Sequence, residues 1–107
     1  IESVRAIEQV EEIAALDGAD VLFVGPRDLS HDLGVPGDFR AATYLAALDR
    51  VRAAADRYGK AGGLLVPDGA AAAARLQEGW TFVAVASDST LLAASATAEL
   101  ARARAAT

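Results

Sequence analysis

The sequence contains no cysteine and no methionine. Without cysteine there is no disulfide framework, no thiolate nucleophile and no cysteine-built zinc site. That absence fits a cytoplasmic setting, which is the expectation here. Methionine is missing even from position 1, where Ile1 stands, so the 107 residues are expected to be a piece of a longer chain. Basic residues are scarce: 10 Lys and Arg stand against 15 Asp and Glu, for a net charge of −5. With no basic stripe, neither nucleic acid nor an anionic membrane is expected as a partner. No apolar run approaches the ~18 residues of a membrane-spanning helix. Length is short as well, since a complete (β/α)₈ barrel needs roughly 250 residues.

What is present belongs to an ordinary folded domain, with 53% hydrophobic and 23% charged residues, which excludes intrinsic disorder. Alanine supplies 27 of the 107 residues, so much of the apolar fraction is small and helix-favouring rather than bulky core. Val4, Ile7, Val10 and Ile13 recur every three to four residues between Glu8, Glu11 and Glu12. That spacing predicts an amphipathic helix with a solvated acidic face, capped by Ser3 and closed before Gly18.

Asp20-Val21-Leu22-Phe23-Val24 is a short apolar run of the kind that forms a buried parallel strand, stopped by Gly25-Pro26. Residues 27–40, with Gly34, Pro36, Gly37 and Asp38, read as a long loop. A second amphipathic helix follows from Ala41 to Tyr58, then a strand over Gly62–Val66. Pro67-Asp68 opens a third helix, Thr81–Val85 forms a further strand, and Ser87-Asp88-Ser89 begins a final Ala-rich helix. Repeated strand-helix units imply a parallel sheet with helices outside it. Residues 1–107 form one segment without an internal boundary. Three strands and a stub ending at Ile1-Glu2 suit either half a barrel or a small doubly wound sheet.

Ligands of parallel α/β folds bind at the carboxyl ends of the strands. Glu2, the turn from Gly25 to Asp28, Leu65–Asp68 and Ala86–Ser89 lie there. Glu2 and Asp28 are separated by about one strand-helix unit. With neighbouring strands ~4.8 Å apart, both carboxylates could reach one hard cation such as Mg²⁺ or Mn²⁺. Spacing alone equally allows a terminal Glu2 and an Asp28 that caps a turn. His31 reads as a polar loop residue, Trp80 as packing, and Asp68 and Asp88 as helix caps.

Ile1-Glu2-Ser3, the run Asp20-Val21-Leu22-Phe23-Val24-Gly25-Pro26-Arg27-Asp28-Leu29-Ser30 and Asp32-Leu33-Gly34 carry a resemblance. Gly59-Lys60-Ala61, Gly63-Leu64-Leu65 and Phe82-Val83-Ala84-Val85 with Asp88 continue it. Together they resemble the HpcH/HpaI aldolases, metal-dependent (class II) enzymes of 2-keto-acid chemistry, along nearly the whole chain. The resemblance implies the C-terminal half of a (β/α)₈ TIM barrel, with the N-terminal half absent. It implies a carbon–carbon lyase that cleaves a 4-hydroxy-2-keto acid to pyruvate and an aldehyde through a metal-stabilised enolate.

The metal, Mg²⁺, Mn²⁺ or Co²⁺, would be held by Glu2 and Asp28. Backbone amides between Gly25 and Asp28, including that of Arg27, would hold the pyruvyl carboxylate, and Leu65 would line the aldehyde pocket. No catalytic residue falls in this half. The base, its acidic partner and a carboxylate-binding Arg would come from the N-terminal half, which leaves the isolated segment inactive. The family also implies a homo-oligomer with its last helix exchanged between subunits.

Two positions depart from the family pattern. Ala86 stands where many members have Gly. Arg27 stands where a small or neutral residue is usual; its side chain is expected to point outward, the alternative being a grip on an anionic substrate tail. The rival readings are a related metal-enolate decarboxylase or acyl-CoA lyase, and a non-catalytic half-barrel used for assembly.

Overall fold

Three strands pair in parallel, in sequence order, under a layer of helices. The computed structural model describes residues 1–106. Along them run α1 (Val4–Glu8), α2 (Val10–Ala14), β1 (Val21–Val24), α3 (Pro26–Asp32), α4 (Ala42–Arg57), β2 (Ala61–Val66), α5 (Gly69–Gln77), β3 (Phe82–Val85) and α6 (Asp88–Ala105). Val24 lies opposite Leu64, and Leu64 opposite Val83.

A further strand position borders β1. The Ile1 amino group donates to the Phe23 carbonyl at 2.6 Å, and the Gly25 N–H donates to the Ile1 carbonyl at 3.1 Å. Bonds to residues on either side of Val24 are the parallel ladder pattern. Ile1 therefore sits beside β1 in the register of a parallel neighbour.

Alternation along the strands divides the two faces of the sheet. Leu22, Val24, Leu64 and Val66 are buried on the helix side. There α4 brings Tyr44, Ala47, Leu48, Val51, Ala54 and Ala55 inward, a spacing of three to four that makes one apolar stripe. Val10, Ala14 and Trp80 complete this core. A Cβ on Gly62 would lie 3.4 Å from the Trp80 ring, so Trp80 is a packing residue, as anticipated.

On the other face Phe23, Gly63 and Phe82 are in register. The two rings meet edge to face across the glycine, with centroids 5.9 Å apart. A Cβ on Gly63 would come 2.8 Å from the Phe23 ring, which is why the run contains a second glycine. This face is open: Phe82 is 52% and Leu65 42% exposed. No residue of α6 is buried, and the molecule measures 59 × 28 × 22 Å. Among the described residues no helix is long and apolar enough to cross a membrane.

Three local expectations are corrected. The segment 27–40 is not all loop, because its first part is α3, with Pro26 in the first turn where its missing N–H costs nothing. The first helix breaks at Gln9 (φ −97°, ψ 11°), although Ile7, Val10 and Ala14 still share one buried face. Ser87, not Asp88, caps α6: its Oγ accepts from the Thr90 N–H at 3.3 Å, while Thr90 Oγ1 accepts from the Ser87 N–H at 2.9 Å. Asp68 caps α5 as expected, accepting from the Ala71 N–H at 2.8 Å.

Candidate functional site

The strand register places Glu2, Gly25, Leu65 and Ala84 in one row across the open face. Leu65 pairs with Ala84, and Gly25 and Glu2 each follow a paired position, Val24 and Ile1. The Phe23–Gly63–Phe82 row lies one layer below and forms an apolar floor. Glu2 fills the space over Gly25: a Cβ there would lie 2.6 Å from Glu2 Oε1 and 2.7 Å from its Cγ. Gly25 has φ −86° and ψ 99°, a conformation open to any L residue. Its side chain is absent to make room for a carboxylate.

Arg27 and Asp28 follow on the first turn of α3. The amides of Arg27 and Asp28 stand in the first turn, where no intrahelical partner exists, and among the described residues no side chain caps this helix. The partial positive charge of that end favours a carboxylate such as that of Asp28. The sequence-predicted residues thus divide into a row (Glu2, Gly25, Leu65) and the turn beside it (Arg27, Asp28).

Two residues that hold this turn were not singled out from sequence. Ser30 is 0% exposed; its Oγ donates to the Arg27 carbonyl at 2.7 Å and accepts from the Gly37 N–H at 3.0 Å. It ties the turn to the loop behind it. Asp32 Oδ2 accepts from the Val4 N–H at 2.6 Å, across 28 residues. It therefore joins the end of α3, which carries Asp28, to the start of α1, just after Glu2. The i, i+4 spacing of Asp28 and Asp32 was the available signal, but only once a helix was assigned there.

A cavity of about 400 Å³ adjoins the row, lined among others by Arg27, Leu65, Tyr44, Arg75 and Ala86. Arg27 is exposed, as expected, yet it also borders this cavity. Tyr44 is 2% exposed. Burial pushes its hydroxyl pKa up, with the Arg75 guanidinium pulling the other way. Ala86 has φ 57°, a left-handed conformation that costs an L residue about 1–2 kcal/mol, and its N–H donates to the Val66 carbonyl at 2.8 Å. A glycine would be relaxed there. His31 is exposed in the last turn of α3. Of the acidic helix face, Glu8 and Glu12 are solvated, while Glu11 approaches Arg57 at 3.6 Å.

Among the described residues no three His, Asp or Glu side chains cluster as a ligand set. Glu2 and Asp28 are the donors at hand. Two hard oxygen donors suit a cation of the Mg²⁺ or Mn²⁺ type that keeps several positions for water and substrate. The cradle over Gly25, which a Cβ would fill, keeps one of them in place. These residues fit a divalent cation.

The family profile described as HpcH/HpaI aldolase/citrate lyase matches residues 1–95. A hydroxypyruvate/pyruvate aldolase of Paraburkholderia phytofirmans is 46% identical over 88 residues, covering 82% of this chain and 34% of the relative. A 5-keto-4-deoxy-D-glucarate aldolase of Klebsiella pneumoniae subsp. pneumoniae is 43% identical over 88 residues, again 82% of this chain and 34% of the relative. A solved structure of an HpcH/HpaI aldolase/citrate lyase family protein from Burkholderia cenocepacia J2315 superposes with a TM-score of 0.94 at 38% identity. It covers 97% of this chain and 40% of that one. The chain therefore spans about a third of the length of these curated relatives.

Proposed function

The chain belongs to the HpcH/HpaI aldolase/citrate lyase family, and from that premise we propose that it is the C-terminal half-barrel of a divalent-metal-dependent aldolase. The complete protein would cleave a 4-hydroxy-2-keto acid to pyruvate and an aldehyde, or join them in reverse. The observation that carries this reading is the Glu2 carboxylate seated over Gly25, beside the turn that bears Asp28, at the carboxyl ends of adjacent parallel strands. The aldolase names of the two relatives support carbon–carbon lyase chemistry on keto acids.

Glu2 and Asp28 would hold the cation, Mg²⁺, Mn²⁺ or Co²⁺. When bound, it would supply Lewis-acid stabilisation of the negative charge that develops on the pyruvyl unit. The uncommitted amides of Arg27 and Asp28 hold the pyruvyl carboxylate. Gly25 preserves the position of Glu2, Leu65 borders the aldehyde side, and the Phe23–Phe82 pair forms an apolar floor. Breaking C3–C4 leaves its electron pair on C3, while the 4-hydroxyl proton passes to a base. That base, and a guanidinium for the carboxylate, are supplied by the half-barrel that precedes this segment. The unburied α6, with Leu91, Leu92 and Leu100 exposed, supports its exchange between subunits of a homo-oligomer.

The test uses the complete protein. Pyruvate release from 4-hydroxy-2-keto acids should be chelator-sensitive, restored by Mg²⁺, Mn²⁺ or Co²⁺, and abolished in Glu2→Ala and Asp28→Ala together with cation binding. Turnover confined to oxaloacetate or CoA thioesters would replace the aldolase reading with decarboxylase or acyl-CoA lyase chemistry. Cation affinity unchanged in both variants would leave the pair idle. Chelator-sensitive cleavage by the 107 residues alone would contradict the need for a preceding half.

A further inference from the structure

Glu2 and Asp28 belong to different elements, and no bond joins their side chains. Among the described residues neither carboxylate takes a hydrogen bond or an ion pair. Their separation is therefore set by the main chain that carries each. Asp28 rides on α3, which is anchored by the fully buried Leu29 and Ser30. Glu2 stands between Ile1, whose carbonyl accepts from the Gly25 N–H, and Ser3, the cap of α1. Ser3 Oγ accepts from the Ala6 N–H at 3.1 Å, a bond that shapes α1 without reaching α3. The Val4 N–H, in the first position of α1, has no partner inside its helix. Asp32 Oδ2 accepts from it at 2.6 Å. Among the described residues this is the one hydrogen bond between α1 and α3. Asp32 lies four residues beyond Asp28, ~6 Å along the helix, and Val4 lies two beyond Glu2. A charge-assisted bond thus closes a short bridge between the two carriers.

We infer that Asp32 is a positioning residue for the Glu2–Asp28 pair, and that its bond to Val4 sets the preference of the pair for a small octahedral cation over a larger one. The inference rests on the reading of Glu2 and Asp28 as cation donors and adds what holds them at a fixed separation. Mg²⁺ demands near-ideal octahedral geometry with oxygens ~2.1 Å away, whereas Ca²⁺ accepts about six to eight oxygens at ~2.3–2.6 Å in flexible arrangements. A donor pair on a loosened frame loses the first ion more than the second. Asp32 is exposed, so replacing it leaves no cavity and removes little besides this bond and one charge. Asparagine keeps the acceptor and drops the charge, which separates the two contributions.

The complete protein, stripped by chelator, is titrated with Mn²⁺ under electron paramagnetic resonance, and Mg²⁺ and Ca²⁺ are then added as competitors. In Asp32→Ala the Mg²⁺ affinity should fall about tenfold and the Ca²⁺ affinity less than about threefold, so the Mg²⁺/Ca²⁺ ratio drops at least about threefold. In Asp32→Asn the ratio should stay within about twofold of the parent. A merely structural role would lower the melting temperature of the metal-free form and leave the ratio in place. A ratio within about twofold of the parent in Asp32→Ala therefore overturns the inference. A fall as large in Asp32→Asn as in Asp32→Ala also overturns it, because charge and not the bond would be the cause. Glu2→Ala and Asp28→Ala test the underlying reading separately. If both abolish Mn²⁺ binding, the ratios bear on Asp32 alone. Parent-like Mn²⁺ affinity in both would remove the cation pair, and this inference with it.

Discussion

The replacement Gly25→Ala would separate the proposed metal binding from stability, because its two effects differ in size. The new Cβ would sit 2.6 Å from Glu2 Oε1, 2.7 Å from Cγ and 3.0 Å from Cδ. Ordinary van der Waals contact lies near 3.5 Å, so the carboxylate must retreat by about 1 Å. Glu2 is exposed and can move, so the clash itself is inexpensive to relieve. The backbone accepts alanine at φ −86°, and replacing Gly by Ala at a helix N-cap costs only about 0.5 kcal/mol. Folding should therefore weaken by less than about 1 kcal/mol. A ligand displaced by about 1 Å is a different matter: disturbing the support of a metal ligand typically costs 10–100-fold in affinity. Protein stripped by chelator and titrated with Mn²⁺, followed by electron paramagnetic resonance, should show that loss, while thermal unfolding of the metal-free form barely moves. Wild-type Mn²⁺ affinity in a folded Gly25→Ala variant would refute the role given to Glu2.

Other residues give separate checks. Ala86→Gly should raise stability by about 0.5–1 kcal/mol, the left-handed penalty less the added unfolded-state entropy; a lower urea midpoint would contradict the strain assigned to φ 57°. Ser30→Ala strands the Gly37 N–H and the Arg27 carbonyl and should cost about 1–3 kcal/mol in urea unfolding. Asp32→Ala should weaken Mn²⁺ binding about tenfold, whereas Asp32→Asn, which keeps an acceptor for the Val4 N–H, should recover most of it. Burial raises the folded-state pKa of Tyr44. Its stabilising contribution is therefore present below its unfolded value of about 10 and is lost as pH climbs above it. Tyr44→Phe should remove that part of the alkaline fall in melting temperature.

The strands were legible in the residues because each is a short apolar run ended by glycine, proline or a polar pair, and the long α4 because its apolar stripe repeats over 16 residues. Glu2 and Asp28 could be proposed as a pair from their separation by one strand-helix unit, and the chemistry proposed for them came through the family resemblance. The helix α3 was obscured by its length of seven residues and by a proline that signals a stop after a strand as readily as a start. Ser30 and Asp32 act through contacts with Gly37 and Val4 that no local pattern encodes. Arg75 reads in sequence as the polar side of an Ala-rich helix, and only folding brings it beside Tyr44. Local periodicity reports burial along one element. It says nothing of which polar atoms meet across two.

That distinction bears on how the turn after β1 can change without losing its task. The part assigned to recognising the pyruvyl carboxylate is main chain, namely amides left unpaired by the start of α3. Any residue but proline supplies such an amide, so the side chain at position 27 is free to serve another purpose. On the proposed reading Gly25 and Asp28 have no such freedom, because one must be small for Glu2 and the other would have to be an oxygen donor. An arginine at position 27 would leave the proposed carboxylate contact intact, while its side chain borders the neighbouring cavity.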